Sequence, residues 1–161
     1  MQRDHMISIR YITQAAVIAG MYAALAILFA PISSGQLQVR IAEALTVLPY
    51  FTPAALPGLF VGCLLSNIYV AEGGYDVLLG PLATLAAAYL SRKVPRRLVP
   101  LPPVIINALY VGLLLHVAAD LPFILTVALV AGGQSIACYV LGYPLLLLLE
   151  KHRKSIFGFE P

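Results

Sequence analysis

Arg40 and Glu43 stand three residues apart in a segment that is otherwise apolar, RIAEALTVLPYF, with Thr46 at the same spacing beyond. On a helix the three share a face, so a guanidinium and a carboxylate could neutralise each other while presenting donors and acceptors to a cavity. The same pair could equally be a pin that fixes its helix at a membrane interface. Asn67, Asp76, Asn107, Tyr110 and Gln134 are further polar groups beside or within apolar runs. Single amides in apolar helices commonly hydrogen-bond across a bundle. As a set with Arg40 and Glu43, they instead describe a polar pocket for a small molecule. Asn107 is on one face with Tyr110, and Gln134 with Cys138, so a flat ring could stack on the tyrosine while amides address its edge. Tyr110 could also be ordinary core.

Other chemistry is poorly supported. No Ser-His-Asp set, metal-ligand cluster or GxxxxGK[ST] loop appears, so neither a catalytic site, a bound metal, another cofactor nor ATP hydrolysis by this chain is expected. His5 and His152 fall in the tails, and His116 lies on nearly the opposite face of its helix from Asn107. All three read as surface or interface residues. Cys63 and Cys138 each sit inside an apolar run without ligand spacing and read as small core residues.

The elements that must position these groups are set by composition. In 161 residues, 61% are hydrophobic, 11% are charged and none is Trp, which places the chain in the membrane. Lipid offers the backbone no hydrogen-bond partners, and the apolar runs are too long and too unalternating for barrel strands. The expectation is an all-α integral membrane bundle, one domain over residues 1–161. Six transmembrane helices are predicted: Ile12–Ala30, Arg40–Phe51, Ala54–Ala71, Tyr75–Leu90, Pro102–Ala119 and Phe123–Leu149. The first is longer than a signal-peptide core of roughly 7 to 15 residues and ends without an A-x-A site, so it reads as retained. The last exceeds the membrane thickness and must tilt, or bend at Gly132 and Gly133. By helical rise, Asn67 lies about 7 Å below the outer end of its helix, and Asn107 and Gln134 share a depth of about 18 Å.

Nine of the ten Lys and Arg residues fall on one side of such a bundle: Arg3, Arg10, Arg92, Lys93, Arg96, Arg97, Lys151, Arg153 and Lys154. The positive-inside rule puts that side, with both termini, in the cytosol. The charge of +3 is scattered at helix ends and not interleaved with aromatics, so anionic lipid rather than nucleic acid is the expected partner. On the first helix, Ala15, Ala19 and Ala23 form one row of small residues and Ala16, Gly20 and Ala24 the adjacent row. Such a face admits another helix closely, either within the bundle or from a partner protein.

The strings VRIAEALTVLPYFTPAALPGLFVGCLLSN (Val39 to Asn67), DVLLGPLATLAAAYL (Asp76 to Leu90), PLPPVIINALYVGL (Pro100 to Leu113) and CYVLGYPL (Cys138 to Leu145) resemble the QueT family. That family comprises predicted substrate-binding S components of energy-coupling factor (ECF) transporters. The resemblance implies a six-helix S-component fold in the bacterial plasma membrane that captures a queuosine precursor from outside. It further implies a transmembrane T subunit and two cytosolic ATPase subunits, with Ala15, Ala19 and Ala23 as the docking face. A 7-deazaguanine such as 7-aminomethyl-7-deazaguanine or queuine would then offer a donor edge to Glu43 or Asp76, and a carbonyl to Asn107, Asn67 or Arg40. One position departs from the family pattern. Gly-Glu usually precedes CYVLG, where this chain has Gly133 and Gln134, which favours a neutral or differently substituted base or a cation held by Asp76. The alternatives are an S component for another vitamin or precursor, and a non-transporting membrane assembly protein.

Overall fold

The computed structural model describes residues 2–33, 38–70, 74–153 and 156, with side chains from residue 9 onward. Helices make up nearly all of it, and the described residues contain no β-strand. In chain order they are α1 (Gln2–Leu28), the short α2 (Ala30–Ser33), a 3₁₀ helix (Ile41–Tyr50), α3 (Ala55–Val70), α4 (Gly74–Ser91), a single 3₁₀ turn (Arg96–Leu98), α5 (Leu101–Ala119), α6 (Phe123–Ser135), a π-helical segment (Ile136–Gly142) and α7 (Tyr143–Lys151). Three stretches are long and apolar enough to cross a membrane: Ile9–Leu28, Arg96–Ala119 and Phe123–Lys151. Residues 71–73, between α3 and α4, lie outside the described residues.

The second predicted helix is the one whose form differs most from expectation. Residues Ile41–Tyr50 are not α-helical but wind as a 3₁₀ helix of 10 residues, with Ala42 to Pro49 all buried. At about 2.0 Å per residue such a segment reaches roughly 20 Å, where an α-helix of equal length reaches roughly 15 Å. The stretch lets a short sequence pass through the bundle centre, in contact with α1, α3, α4, α7 and the π segment. The Thr46 hydroxyl caps the Glu43 carbonyl at 2.6 Å, and Thr52 beyond the helix end reaches Gln14 of α1 at 3.0 Å. The last predicted helix is also irregular. Its α geometry changes at Ile136, three residues past the glycine pair, and the π segment packs its Gly142 on the Ala44 carbonyl.

α1 packs chiefly on α3 because α3 presents glycines four residues apart. A Cβ at Gly58 would fall 2.8 Å from the Ala15 carbonyl oxygen, and one at Gly62 equally close to that of Ala19. Ala19 is buried there, whereas Ala16, Gly20 and Ala24 are exposed, with nothing within 4 Å of a Cβ placed on Gly20. The core beneath is apolar, with Leu59, Cys63, Val47, Ala88, Val99 and Leu146 fully buried. Both cysteines are free and buried, as expected of core residues. Large apolar side chains also face outward, including Ile12, Ile68, Leu78, Ile105, Val117, Ile124 and Val140, as a lipid-facing surface requires.

Among the described residues, Arg10, Lys93 and Arg96 gather at one end, while Arg40 stands apart from them. Arg96 meets Glu150 at 2.8 Å, Lys93 lies over the Tyr89 ring, and Arg10 shares a groove of about 500 Å³ with Leu149 and Ile156. His116 binds the Leu121 carbonyl at 2.7 Å at the opposite end, where it closes the turn between α5 and α6.

Gly62→Val should lower stability by about 1–3 kcal/mol, because the added methyls meet backbone that cannot move alone. Gly20→Ala should leave stability unchanged or raise it by up to ~1 kcal/mol. Thermal melts of the two purified variants against the parent chain check both.

Candidate functional site

A cavity of about 270 Å³ opens at the end of the bundle opposite Arg10, Lys93 and Arg96, among the ends of α1, α3, α4 and α5. Its walls carry Tyr22, Gln38, Arg40, Ser66, Asn67 and Asp76 against an apolar side that includes Val111 and Leu115. That volume is near the lower end of the roughly 300–1,000 Å³ typical of small-molecule pockets.

Arg40 does not pair with Glu43. It precedes the 3₁₀ helix in extended conformation, φ −81 and ψ 90, so the three-residue helical register that would align the two side chains does not include it. Its Nη2 lies 3.6 Å from Asp76 Oδ2 instead. Asp76 sits in the first turn of α4, where the helix dipole favours a carboxylate, and its Oδ1 accepts from the Tyr110 hydroxyl at 2.8 Å. Asn67 donates to the Asp76 backbone carbonyl at 2.8 Å, joining the end of α3 to the start of α4. Gly80 is the space in which these meet, since a Cβ there would fall 2.5 Å from Asn67 Nδ2. Arg40, Asp76, Tyr110 and Asn67 therefore form one connected outer layer in which each named group has a partner.

Glu43 anchors a second, deeper layer. Its side chain is fully buried, and Oε1 accepts from the Tyr22 hydroxyl at 2.6 Å and from Thr84 at 3.4 Å. Asn107 is set against the same carboxylate at the margin of hydrogen-bond reach, and its Nδ2 and Glu43 Oε2 each stop short of full hydrogen-bond geometry. Cys138 links the Glu43 carbonyl, at 3.8 Å, to Gln134 Oε1, at 3.9 Å, while Gln134 Nε2 is again unpartnered. An unmet buried polar group costs about 1–3 kcal/mol. Three of them in one place is a pattern that a ligand, rather than packing, would resolve. Among the described residues, Glu43, Asn107, Tyr110 and Gln134 do not line the open cavity. Tyr22 belongs to both levels.

Four residues of this site escaped the sequence reading: Tyr22, Gln38, Ser66 and Thr84. Tyr22 lies on α1 beside residues singled out only as a packing face. Gln38, between the first two apolar runs, has a side chain that is 5% exposed, a left-handed backbone at φ 41, and an unpartnered Oε1 acceptor in the cavity wall. A non-glycine residue held in that conformation marks a locally constrained backbone, which sequence alone does not display. Of the small rows, Ala15 and Ala19 are occupied by α3, Ala23 is partly buried, and the adjacent row stays exposed. No cluster of three or more metal-ligating side chains occurs among the described residues.

Comparison with curated proteins and with solved structures gives no match. A family model described as QueT transporter matches residues 12–151, a span that contains both polar layers, the cavity and all the apolar helices described above. An all-helical chain with membrane-length apolar helices and a polar cavity at one end is what a membrane transport protein requires, and this chain belongs to the QueT transporter family.

Proposed function

We propose that this protein is the substrate-binding S component of an ECF-type importer, capturing a queuosine precursor of the 7-deazaguanine class from outside the cell. The observation that carries the reading is the stack of a polar cavity over a buried carboxylate and two amides with unpartnered atoms, within a QueT transporter chain. Six helical passes, one of them the 3₁₀ helix, would bring both basic termini to one end. By the positive-inside rule that end faces the cytosol of a bacterial plasma membrane, and the cavity faces outward. The chain would act without chemistry of its own. Uptake would draw on ATP hydrolysis by two cytosolic ATPase subunits coupled through a transmembrane T subunit.

The ring of a 7-deazaguanine presents N–H donors at N1 and N2 beside a carbonyl acceptor. Glu43 is the acceptor for the donor edge, and Asn107 a donor for the carbonyl. Arg40, Asp76 and Asn67 serve the entrance, where Asp76 is also placed to meet a ligand cation such as an aminomethyl group. Gln134 supplies no charge for that purpose, and this feature supports a second reading, an S component for a neutral or differently substituted metabolite. The T subunit would dock on the exposed Ala16, Gly20 and Ala24 row of α1, with Ala23 at its border, because α3 covers Ala15 and Ala19.

Calorimetric titration with 7-aminomethyl-7-deazaguanine, queuine and guanine tests the ligand. Binding is expected, and Glu43→Gln should weaken it by ~10- to 100-fold, as loss of a hydrogen bond to a charged acceptor does. An unaltered affinity in that variant would remove Glu43 from the site. For the partner face, Gly20→Leu should abolish co-purification with the T subunit and ATPases while leaving ligand affinity within about twofold, since nothing in this chain lies against Gly20.

A further inference from the structure

The three unpartnered atoms Glu43 Oε2, Asn107 Nδ2 and Gln134 Nε2 come from three different elements yet belong to one connected layer. Their side chains are 0%, 2% and 0% exposed. In a membrane interior no water of bulk solvent reaches such groups, and a fold that needed the amides only as helix glue would have paired them. The layer lies directly beneath the cavity. Ala42, next to Glu43 in the chain, and Val111, one helical turn from Asn107, both line the cavity, as does Tyr22, whose hydroxyl ends on Glu43 Oε1.

We propose that this layer is a preformed recognition chamber for the edge of a heteroaromatic ligand, and that Tyr22 is the lid separating it from the cavity above. The proposal rests on the transport reading and adds how the ligand is read. A carboxylate between two amide donors calls for an edge whose donors are flanked by two acceptors. A 2-amino-4-oxopyrimidine edge meets that demand, its carbonyl and ring nitrogen accepting from the amides of Asn107 and Gln134 while its ring N–H donates to Glu43. An adenine-type edge has a single donor group, its amino group, between two ring acceptors, so it meets one carboxylate oxygen and leaves the other without the second donor. Rotation of Tyr22 away from Glu43 opens the floor and releases Oε1. The carboxylate then has both oxygens available for the ring N–H and the exocyclic amino group, the bidentate geometry that carboxylates adopt with guanidinium. Thr84 stays at Oε1 to hold the carboxylate in place. Gln134 thereby becomes a specificity residue, an uncharged donor suited to a ring acceptor.

The test uses the whole chain in lipid nanodiscs, titrated with 7-aminomethyl-7-deazaguanine, guanine and adenine, with thermal melting of the ligand-free protein alongside. Gln134→Met keeps the shape and removes the donor. It should weaken 7-aminomethyl-7-deazaguanine and guanine at least ~10-fold while the ligand-free melting temperature holds or rises, because the unmet amide is gone. Asn107→Leu should behave in the same way and covers the case in which Gln134→Met fails to fold. Tyr22→Phe should raise the association rate by ~5-fold or more, since opening no longer breaks a hydrogen bond to a carboxylate. A lowered melting temperature with affinity kept would assign the amides a structural role and overturn the chamber. An unchanged or slower association rate in Tyr22→Phe would overturn the lid. Binding of the deazaguanine by the parent chain, undiminished in both amide variants, sinks the chamber alone. No binding of any probe by the parent chain removes the deazaguanine reading itself.

Discussion

A carboxyl group in the middle of an apolar bundle constrains everything around it. Glu43 is fully buried at the centre of a chain that is 61% hydrophobic, where desolvation is severe and no solvent can relieve it. The structure answers by directing polar atoms from separate helices at one point. Tyr22 comes from α1, Thr84 from α4, Asn107 from α5 and Cys138 from the π segment. Each lies within an apolar stretch of its helix. The bundle is thus organised around a polar point as well as around its apolar core of Leu59, Val47, Val99 and Leu146.

The two irregular helices follow from the same constraint. The segment that carries Glu43 is only 10 residues long and must place that residue deep while its start stays near the cavity mouth with Arg40. A 3₁₀ helix extends farther per residue and does so at the cost of poorer hydrogen-bond geometry, which the surrounding helices must offset. Against it packs the π segment, whose wider turn brings Cys138 to the Glu43 carbonyl and Gly142 to that of Ala44. Isolated 3₁₀ and π geometry is unfavourable, and here each supplies the surface that fits the other. π geometry inside α-helices occurs most often at functional positions, in keeping with Gln134 lying just before this one.

What the sequence displays well is periodicity and polarity, and what it hides is partnership. Apolar runs and proline breaks located most helices to within a few residues, as at Pro102–Ala119 against Leu101–Ala119, whereas α1 starts at Gln2, ten residues before its apolar run. The polar outliers Asn67, Asp76, Asn107 and Gln134 were conspicuous because each interrupts an apolar run. Which of them meet was not legible. Helical spacing paired Arg40 with Glu43, but Arg40 lies outside the helix and its partner Asp76 is 36 residues away in the chain, while the partner of Glu43 is Tyr22, 21 residues upstream. Tyr22 was masked by its setting among alanines, and Gln38 by a loop whose left-handed backbone leaves no trace in residue type. The alanine rows were visible, but the choice between them depended on Gly58 and Gly62 in another helix.

The contrast between the two polar layers bears on how such a site can be selective without being slow. The outer layer is internally satisfied: Arg40, Asp76, Tyr110 and Asn67 hold one another, so an incoming polar molecule gains little there beyond long-range attraction. The inner layer is under-satisfied, and hydrogen bonds made to it gain the full value of groups that otherwise have none. A ligand that only resembles the right one would be held by neither. On the proposed reading, affinity would be concentrated at the depth where the donor and acceptor pattern is most restrictive, with the cavity above as a route. Since Tyr22 forms part of both, the hydroxyl that meets Glu43 here is the group a ligand at that depth would replace.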